Sequence, residues 1–284
     1  MNLLESLQEF LTVGVPLGDW IEAVVDFLII NFSGPLDAFS NFVGTMIGSF
    51  ESFLFMVPPL ILIAVLAVIA WKLRGKSLAL FVVLGLLLVL NMGIWEELIV
   101  TIASILTSVI IALALGIPMG IIKAHSRIFH FISRPILDLM QTIPPFVYLI
   151  PALMFFGLGN VPGVIATVVF AIAPPIRLTY LGIIQVDEEL KEAGQAFGCN
   201  WWQMLTKVEL PGALPSIMMG VNQCIMLSLS MVVIAAMIGA GGLGEPVLRS
   251  LSVVDIGMGF EAGLGVVILA IILDRMFRVD QQNQ

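Results

Sequence analysis

Residues 139–176 read LMQTIPPFVYLIPALMFFGLGNVPGVIATVVFAIAPPI and contain no charged side chain. A helix needs about 20 apolar residues to cross the hydrocarbon core of a bilayer, so this stretch is too long for one span. Glycine and proline interrupt helices, and asparagine favours turns. The stretch therefore predicts two membrane spans, divided at a cluster of such residues: Gly157, Gly159, Asn160, Pro162 and Gly163.

The whole chain has the composition of an integral membrane protein. Of its 284 residues, 60% are hydrophobic and 11% are charged, whereas a soluble domain is about 45–50% apolar and about 25% charged. A net charge of −8 without a basic block argues against binding of nucleic acid. The two cysteines, Cys199 and Cys224, are too few for a disulfide framework or a cysteine metal site. We expect an all-α polytopic membrane protein.

Five further apolar runs predict spans, which makes seven with the two in residues 139–176. An odd number of spans places the two termini on opposite sides of the membrane. The five runs are Phe53–Trp71, Leu78–Trp95, Leu98–Ile122, Pro215–Gly239 and Ile256–Leu273.

Lysine and arginine side chains predict the orientation. With seven spans, all 12 of them except Arg249 lie on one face of the membrane. The positive-inside rule makes that face cytoplasmic. We therefore expect a multi-pass protein of the bacterial cytoplasmic membrane, with its N-terminus outside and its C-terminus in the cytoplasm.

The first 52 residues form an acidic segment with no lysine or arginine. They lack the basic region and the cleavage site of a signal peptide. Asp19, Glu22 and Asp26 lie on one helical stripe, and apolar residues at helical spacing follow Gly34 and Pro35. This pattern predicts two amphipathic helices in the outer membrane interface. An extra span and a disordered tail are the alternatives.

The predicted organisation has four parts. Residues 1–52 are the extracellular or interfacial tail, and residues 53–95 hold two peripheral transmembrane helices. Residues 96–276 form a five-helix core with a cytoplasmic loop at 187–211, and residues 277–284 form a cytoplasmic tail.

Motifs that resemble catalytic or ligand sites lie in the wrong context. Gly239, Gly241 and Gly244 spell G-x-G-x-x-G at the end of a predicted span, whereas a dinucleotide fingerprint follows a strand. His125 and His130 have no acidic partner at the spacing of metal ligands, and we interpret them as residues of the membrane edge. No triad of serine, histidine and acid is evident. We expect no catalytic residue and no metal ligand.

The loop at 187–211 begins with the pattern of a short helix. Asp187 is a favourable N-cap residue, and Gly198 can end the helix in a left-handed C-cap. One face of this helix is apolar, although no predicted span is present to bury it. That face consists of Leu190, Ala193, Gly194 and Phe197.

The rest of the loop predicts a second short helix. Asn200 and Gln203 form a variant capping box at its start, and Pro211 is expected to end it. Trp201 and Trp202 lie at the turn between the two helices. Exposed aromatic surface of this kind is typical of a docking site for another protein, while packing against the protein's own helix ends is the alternative.

The spacing of this loop resembles the signature of ABC importer permeases, in which Glu-Ala-Ala, Gly, Ile and Leu-Pro recur at fixed intervals. The corresponding residues are Glu192-Ala193-Gly194, Gly198, Val208 and Leu210-Pro211. Gly194 replaces alanine and Val208 replaces isoleucine. The resemblance implies a type I importer permease core whose loop docks on an ATPase. The contact residues that it implies are Glu192, Ala193, Gly194, Gly198, Trp201, Trp202, Leu210 and Pro211.

A closer resemblance, over residues 95–275, is to the glycine betaine/proline betaine permeases. The segments that carry it are residues 136–148, 174–177, 222–235 and 239–244. It implies an assembly of two permease copies as a homodimer, two ATPase subunits and an extracellular binding protein or domain. ATP and Mg²⁺ then belong to the ATPase, and we expect no cofactor in this chain. Since the sequence stops ten residues after Asp274, we expect a separate binding protein or lipoprotein.

Polar side chains within the predicted spans are candidates to line the path of a zwitterionic betaine. Such residues usually face the interior of a helix bundle, although others only tie helices together. The ring of Tyr148 is a candidate contact for a quaternary ammonium group. The candidates are Gln141, Thr142, Tyr148, Asn222, Gln223, Ser228 and Ser230.

Three other functions are alternatives for a chain of this composition. An ABC permease for another small solute, such as an amino acid or a sulfonate, would share the loop. A secondary transporter working without ATP is expected to have paired intramembrane charges or inverted repeats. A membrane scaffold or sensor would not need the spaced loop.

Overall fold

The computed structural model describes residues 17–277, and every regular element within them is helical. A 3₁₀ turn lies at Pro145–Tyr148, and a π-turn lies at Leu205–Glu209. The helices are α1 (Leu17–Met56), α2 (Pro59–Arg74), α3 (Lys76–Asn91), α4 (Trp95–His125), α5 (Arg127–Thr142), α6 (Leu149–Phe156), α7 (Asn160–Ala171), α8 (Ala173–Ile184), α9 (Glu188–Ala196), α10 (Trp201–Met204), α11 (Leu210–Ala236), α12 (Gly244–Val253) and α13 (Ile256–Phe277).

Five helical segments within residues 17–277 are long and apolar enough to cross a membrane. A sixth candidate is the pair formed by α5 and the segment Pro145–Phe156, which is bent by 111°. The predicted break near Gly157 is confirmed, because α6 ends at Phe156 and α7 begins at Asn160. The five segments are Gly18–Met56, Trp95–His125, Asn160–Ile184, Trp201–Ala236 and Ile256–Phe277.

The first two predicted spans have different boundaries in the structure. Pro58 adopts the extended conformation that a following proline imposes, so α1 ends before it and α2 begins at Pro59. Helices α2 and α3 have 16 residues each, or about 24 Å. They pack against each other around Gly75. The boundaries predicted at Phe53 and Trp95 were therefore wrong.

The acidic N-terminal segment contains one kinked helix where two were predicted. Within the 40 residues of α1, only Phe32 has non-helical dihedral angles (φ −119°, ψ 20°). A proline ring clashes with the carbonyl four residues earlier, so Pro35 explains a kink at this point, and the helix continues beyond it. The length of α1 agrees with the alternative of an extra span. Glu5 and Glu9 lie outside the described residues.

Helix α4 lies at the centre of the packed core. It contacts α1, α5, α7, α8 and α11, and α11 packs extensively on α8. Glycine allows these helices to approach closely: a Cβ added at Gly120 would lie 2.6 Å from Thr179 Cβ. Small residues serve this purpose between membrane helices, where there is little hydrophobic driving force for association.

The loop between α11 and α12 is held at the start of α4. The backbone N–H of Leu243 donates to Thr101 Oγ1 at 2.8 Å, and the N–H of Gly241 donates to Asn160 Oδ1 at 2.7 Å. Gly244 packs so closely on α11 that an added Cβ would lie 2.3 Å from the Val232 carbonyl oxygen. The glycine-rich run thus forms a tight connection between α11 and α12.

Candidate functional site

The predicted glycine C-cap of α9 is confirmed. Gly198 has φ +74°, and its N–H donates to the Gln195 carbonyl at 2.9 Å. The N–H of Cys199 donates to the Gly194 carbonyl at 3.0 Å. Together these bonds form a Schellman motif. Asp187 occupies the N-cap position at the other end, but its side chain makes no capping hydrogen bond.

The predicted capping box after the turn is also confirmed. The N–H of Gln203 donates to Asn200 Oδ1, and the N–H of Asn200 donates to Gln203 Oε1, both at 2.9 Å. Its two reciprocal bonds fix the start of α10.

Pro211 was predicted to end the second helix, and this was wrong. The chain continues through the π-turn into α11, so that Trp201–Ala236 forms one segment of 36 residues. A proline ring clashes with the carbonyl four residues earlier in a regular α-helix. Here the π-turn ends at Glu209, two residues before Pro211, and the Leu210 N–H donates to the Leu205 carbonyl. This wider turn shifts the carbonyls that would otherwise meet the ring.

The two halves of the segment 187–211 contact each other. Gly194 is buried, and a Cβ added there would lie 2.9 Å from Met204 Cε. The apolar side chains of Leu190 in α9 and of Phe197 at its C-cap point outward, since they are 53% and 89% exposed. Of the other predicted contact residues, Leu210 is half-buried, and the rest are exposed, namely Glu192, Ala193, Gly198, Trp201, Trp202 and Pro211.

Two adjacent tryptophans dominate the exposed surface of this segment. Trp201 and Trp202 are 50% and 67% exposed, and their ring centroids lie 4.7 Å apart at an interplanar angle of 79°. Tryptophan contributes strongly to protein interfaces because it buries a large area. The pair therefore has the character of a protein-docking surface.

His125, at the end of α4, contacts this segment. Its Nε2 lies 3.0 Å from Glu209 Oε2 in the π-turn, and its ring lies 5.7 Å from that of Trp201. Sequence analysis found no acidic partner for His125, because Glu209 is distant in the chain and only folding brings the two together.

The structure places the path candidates in three different environments. Gln141, Thr142, Gln223 and Ser230 are exposed at the surface of the chain. Asn222 is half-buried, and its Nδ2 donates to Asp274 Oδ1 of α13 at 3.2 Å. The remaining two, Tyr148 and Ser228, are buried.

Tyr148 does not present its ring to open space. Its hydroxyl donates to the Met140 carbonyl, and its ring packs against Phe170 at 6.0 Å between centroids. Met231 and Ile238 belong to the same apolar cluster. Tyr148 therefore stabilises the connection between α5 and α7 in this conformation, and its predicted contact with a quaternary ammonium group has no open ring face.

Ser228, a predicted path candidate, belongs to a group of polar side chains whose other members were not predicted. It donates to the Cys224 carbonyl at 2.8 Å and lines a cavity of about 30 Å³, enough for a water molecule. The spacing i, i+3, i+7 along α4 was a signal that could have revealed this face. The polar residues around the cavity are Thr101, Ser104, Ser108, Asn160, Thr167 and Ser228.

Charged side chains also connect the helices near His125. Arg177 of α8 pairs with Asp138 of α5 at 2.5 Å. The ammonium of Lys123, a residue only 5% exposed, lies 5.1 Å from the centre of the Tyr180 ring. The Tyr180 ring also packs against His130, with ring centroids 4.9 Å apart. These residues tie α4, α5 and α8 together.

Acidic side chains line two open hollows at the other end of α4. The hollows measure about 490 and 500 Å³. Within residues 17–277, no group of three or more His, Cys, Asp or Glu residues could hold a metal ion. The carboxylates around the hollows belong to Glu51, Glu96, Glu97, Glu245, Asp255 and Glu261.

The sequence is similar to a known family and to several characterised relatives. The profile described as binding-protein-dependent transport system inner membrane component matches residues 116–280. The glycine betaine transport system permease protein OpuAB of Bacillus subtilis is 45% identical, over 92% of this chain and 93% of its own length. The glycine betaine/carnitine transport permease protein GbuB of Listeria monocytogenes is 48% identical, over 92% and 94%. The glycine betaine/proline betaine permease protein ProW of Escherichia coli is 44% identical, over 97% and 77%.

The fold is similar to that of a solved transporter. A chain of the MetNI methionine ABC transporter, in an inward-facing conformation, superposes with a TM-score of 0.58. The match covers 67% of this chain and 95% of that chain, at 22% identity. At this level of identity the likeness concerns the fold alone. It agrees with the predicted all-helical importer permease core.

Proposed function

The chain belongs to the family of binding-protein-dependent transport system inner membrane components, and from this premise we propose that it is the permease subunit of an ATP-driven importer of glycine betaine or a close quaternary-ammonium relative. The observation that carries the importer function is the segment 187–211, which presents two exposed tryptophans and continues directly into α11. The names of relatives at 44–48% identity support the substrate.

The proposed assembly has two copies of this chain, two ATPase subunits and a separate extracellular binding protein. ATP and Mg²⁺ bind to the ATPases, and this subunit catalyses no reaction. Closure of the ATPases moves the segment 187–211, and the helices pass that motion into the membrane. The permease contributes a path with two states, whose populations the partners bias.

The exposed path candidates support a route between the two permease copies. Gln223 and Ser230 lie at helical spacing on an exposed stripe of α11, together with Met219 and Met226. Gln141 and Thr142 are exposed at the end of α5. This lining is uncharged and combines amide and hydroxyl groups with methionine side chains, which suits a zwitterion. Asn222 instead connects α11 to α13, and the Ser228 hydroxyl donates within α11.

Uptake assays test the proposed substrate. The permease, its ATPase and its binding protein are reconstituted in proteoliposomes, and labelled glycine betaine is added outside. We expect accumulation only when the ATPase has ATP, since the free energy comes from hydrolysis. A Walker-motif variant of the ATPase is the matched control. Uptake of an unrelated solute such as methionine, with none of betaine, would overturn the substrate and leave the importer function standing.

Cysteine labelling tests the proposed topology, in which the N-terminus is outside and the C-terminus is cytoplasmic. On a background carrying Cys199→Ser and Cys224→Ala, we expect Ser6→Cys to react with an impermeant thiol reagent from outside. Asn283→Cys is expected to react only after the membrane is opened. Protection of both positions from outside would contradict the seven-span topology and make α1 an additional span, because one more crossing moves the N-terminus inside.

A further inference from the structure

Both ring nitrogens of His125 face oxygen atoms. Nδ1 lies 2.9 Å from the carbonyl oxygen of Ile121, one turn earlier in α4. Nε2 lies 3.0 Å from Glu209 Oε2. A ring nitrogen that carries a hydrogen can donate to the oxygen that it faces. The side chain of His125 is thus fixed in direction by α4 and connected to the π-turn.

Glu209 is a carboxylate in an unusual position, since the residue is only 7% exposed. Burial of a carboxylate without a partner is strongly unfavourable. The polar group beside Glu209 therefore determines the position of its side chain. Within residues 17–277, Glu209 Oε2 accepts no hydrogen bond of regular geometry, and the polar atom close to it is His125 Nε2 at 3.0 Å. The imidazole of His125 is therefore the partner that holds this oxygen in place.

The same imidazole contacts the beginning of this helical stretch. The rings of His125 and Trp201 lie 5.7 Å apart, edge to face at 69°. Trp201 is the first residue of α10, and Glu209 is the last residue of the π-turn. One side chain at the end of α4 thus contacts both ends of the stretch 201–209.

We propose that His125 and Glu209 form a positioning contact that fastens the stretch 201–209 to α4. This inference rests on the proposed function, in which the exposed tryptophans meet the ATPase. Without the contact, motion of the tryptophans reaches the membrane through α11 and through the connection of α9 to α8. With it, α4 moves together with α11. Neither residue touches the solute or ATP in this scheme.

The test compares His125→Ala and Glu209→Gln with the wild type in the complete reconstituted transporter. Solute uptake and ATP hydrolysis are measured separately, and their ratio is the readout. We expect this ratio to fall by about fivefold to tenfold in both variants, because hydrolysis continues while its motion is transmitted poorly. His130→Ala is the matched control and is expected to keep the wild-type ratio, since His130 contacts Tyr180 instead.

The exchange variant His125→Glu with Glu209→His separates a specific pair from general damage. A restored contact should bring the ratio back to within about twofold of the wild type. A ratio that is unchanged in the single variants, or an exchange variant that is as impaired as they are, would overturn the proposal.

Amide hydrogen exchange of the purified transporter gives a readout that does not depend on the solute. We expect exchange within residues 201–210 to be about tenfold faster in His125→Ala than in His130→Ala, because the stretch loses its attachment. Equal exchange in the two variants would contradict the contact. If the wild type does not transport betaine, the proposed substrate fails, and the contact is judged by this measurement alone.

Discussion

Replacing Gly198 with valine is expected to lower solute uptake by about tenfold or more while the permease remains in the membrane. No atom lies within 4 Å of a Cβ added at Gly198, so the effect comes from the backbone alone. At φ +74°, a β-branched residue costs about 1–3 kcal/mol. Relief of this strain breaks the Schellman motif and separates α9 from the tryptophans. About 1.4 kcal/mol corresponds to a tenfold change in an equilibrium.

Two matched variants show whether conformation is the cause. Gly198→Asn is expected to retain most of the uptake, because asparagine tolerates the left-handed region. Gly194→Ala is expected to be close to neutral, since the added methyl group crowds the flexible end of Met204 and makes an ordinary contact with Val208. Membrane quantity is measured by immunoblot and uptake in proteoliposomes. Normal uptake coupled to hydrolysis in Gly198→Val would contradict the assigned role of the segment.

Replacing Gly244 with valine is expected to leave little folded protein. Here the conflict is with backbone atoms, because the first added carbon would lie 2.3 Å from the Val232 carbonyl oxygen and 3.0 Å from the Val233 Cα. Neither atom can move without shifting α11. Overpacking costs about 1–3 kcal/mol and in some cases more, and the upper part of that range is a large share of the total stability of about 5–15 kcal/mol of a typical protein.

Size-exclusion chromatography in detergent and thermal unfolding measure this loss. Gly263→Ala is the matched control, since no atom lies within 4 Å of its added Cβ. Inside α13 the alanine is expected to be neutral or to stabilise by up to about 1 kcal/mol. A Gly244→Val protein that elutes and unfolds like the wild type would contradict the close approach of α12 to α11.

Features that depend on neighbouring residues were predictable from the sequence. The capping box of Asn200 and Gln203 and the glycine end of α9 are formed by hydrogen bonds that span three to five residues. Their sequence patterns are therefore local. The break at residues 157–159 followed in the same way from its glycines. The relatives agree with the family that the loop spacing indicated.

Features that depend on three-dimensional contacts were not predictable. Pro211 has the appearance of a helix terminator, but a π-turn whose residues pack on α9 and α11 accommodates it. Pro35 likewise kinks α1 without ending it. The pairing of His125 with Glu209 has no periodic signal, because it joins the end of one helix to a turn far along the chain. Tertiary packing overrides local preference at each of these places.

The continuity of Trp201–Ala236 makes this segment a lever. One close approach to α8 is at Gly220, where an added Cβ would lie 3.2 Å from the Pro175 Cα. If the segment pivots at Gly220, it extends roughly 28 Å from there to Trp201 and roughly 24 Å to Ala236. A push of a few ångströms on the tryptophans then produces a nearly equal, opposite swing at the far tip. There the backbone N–H groups of Gly241 and Leu243 donate to Asn160 and Thr101. A displacement of this end of the helix therefore acts directly on those two hydrogen bonds.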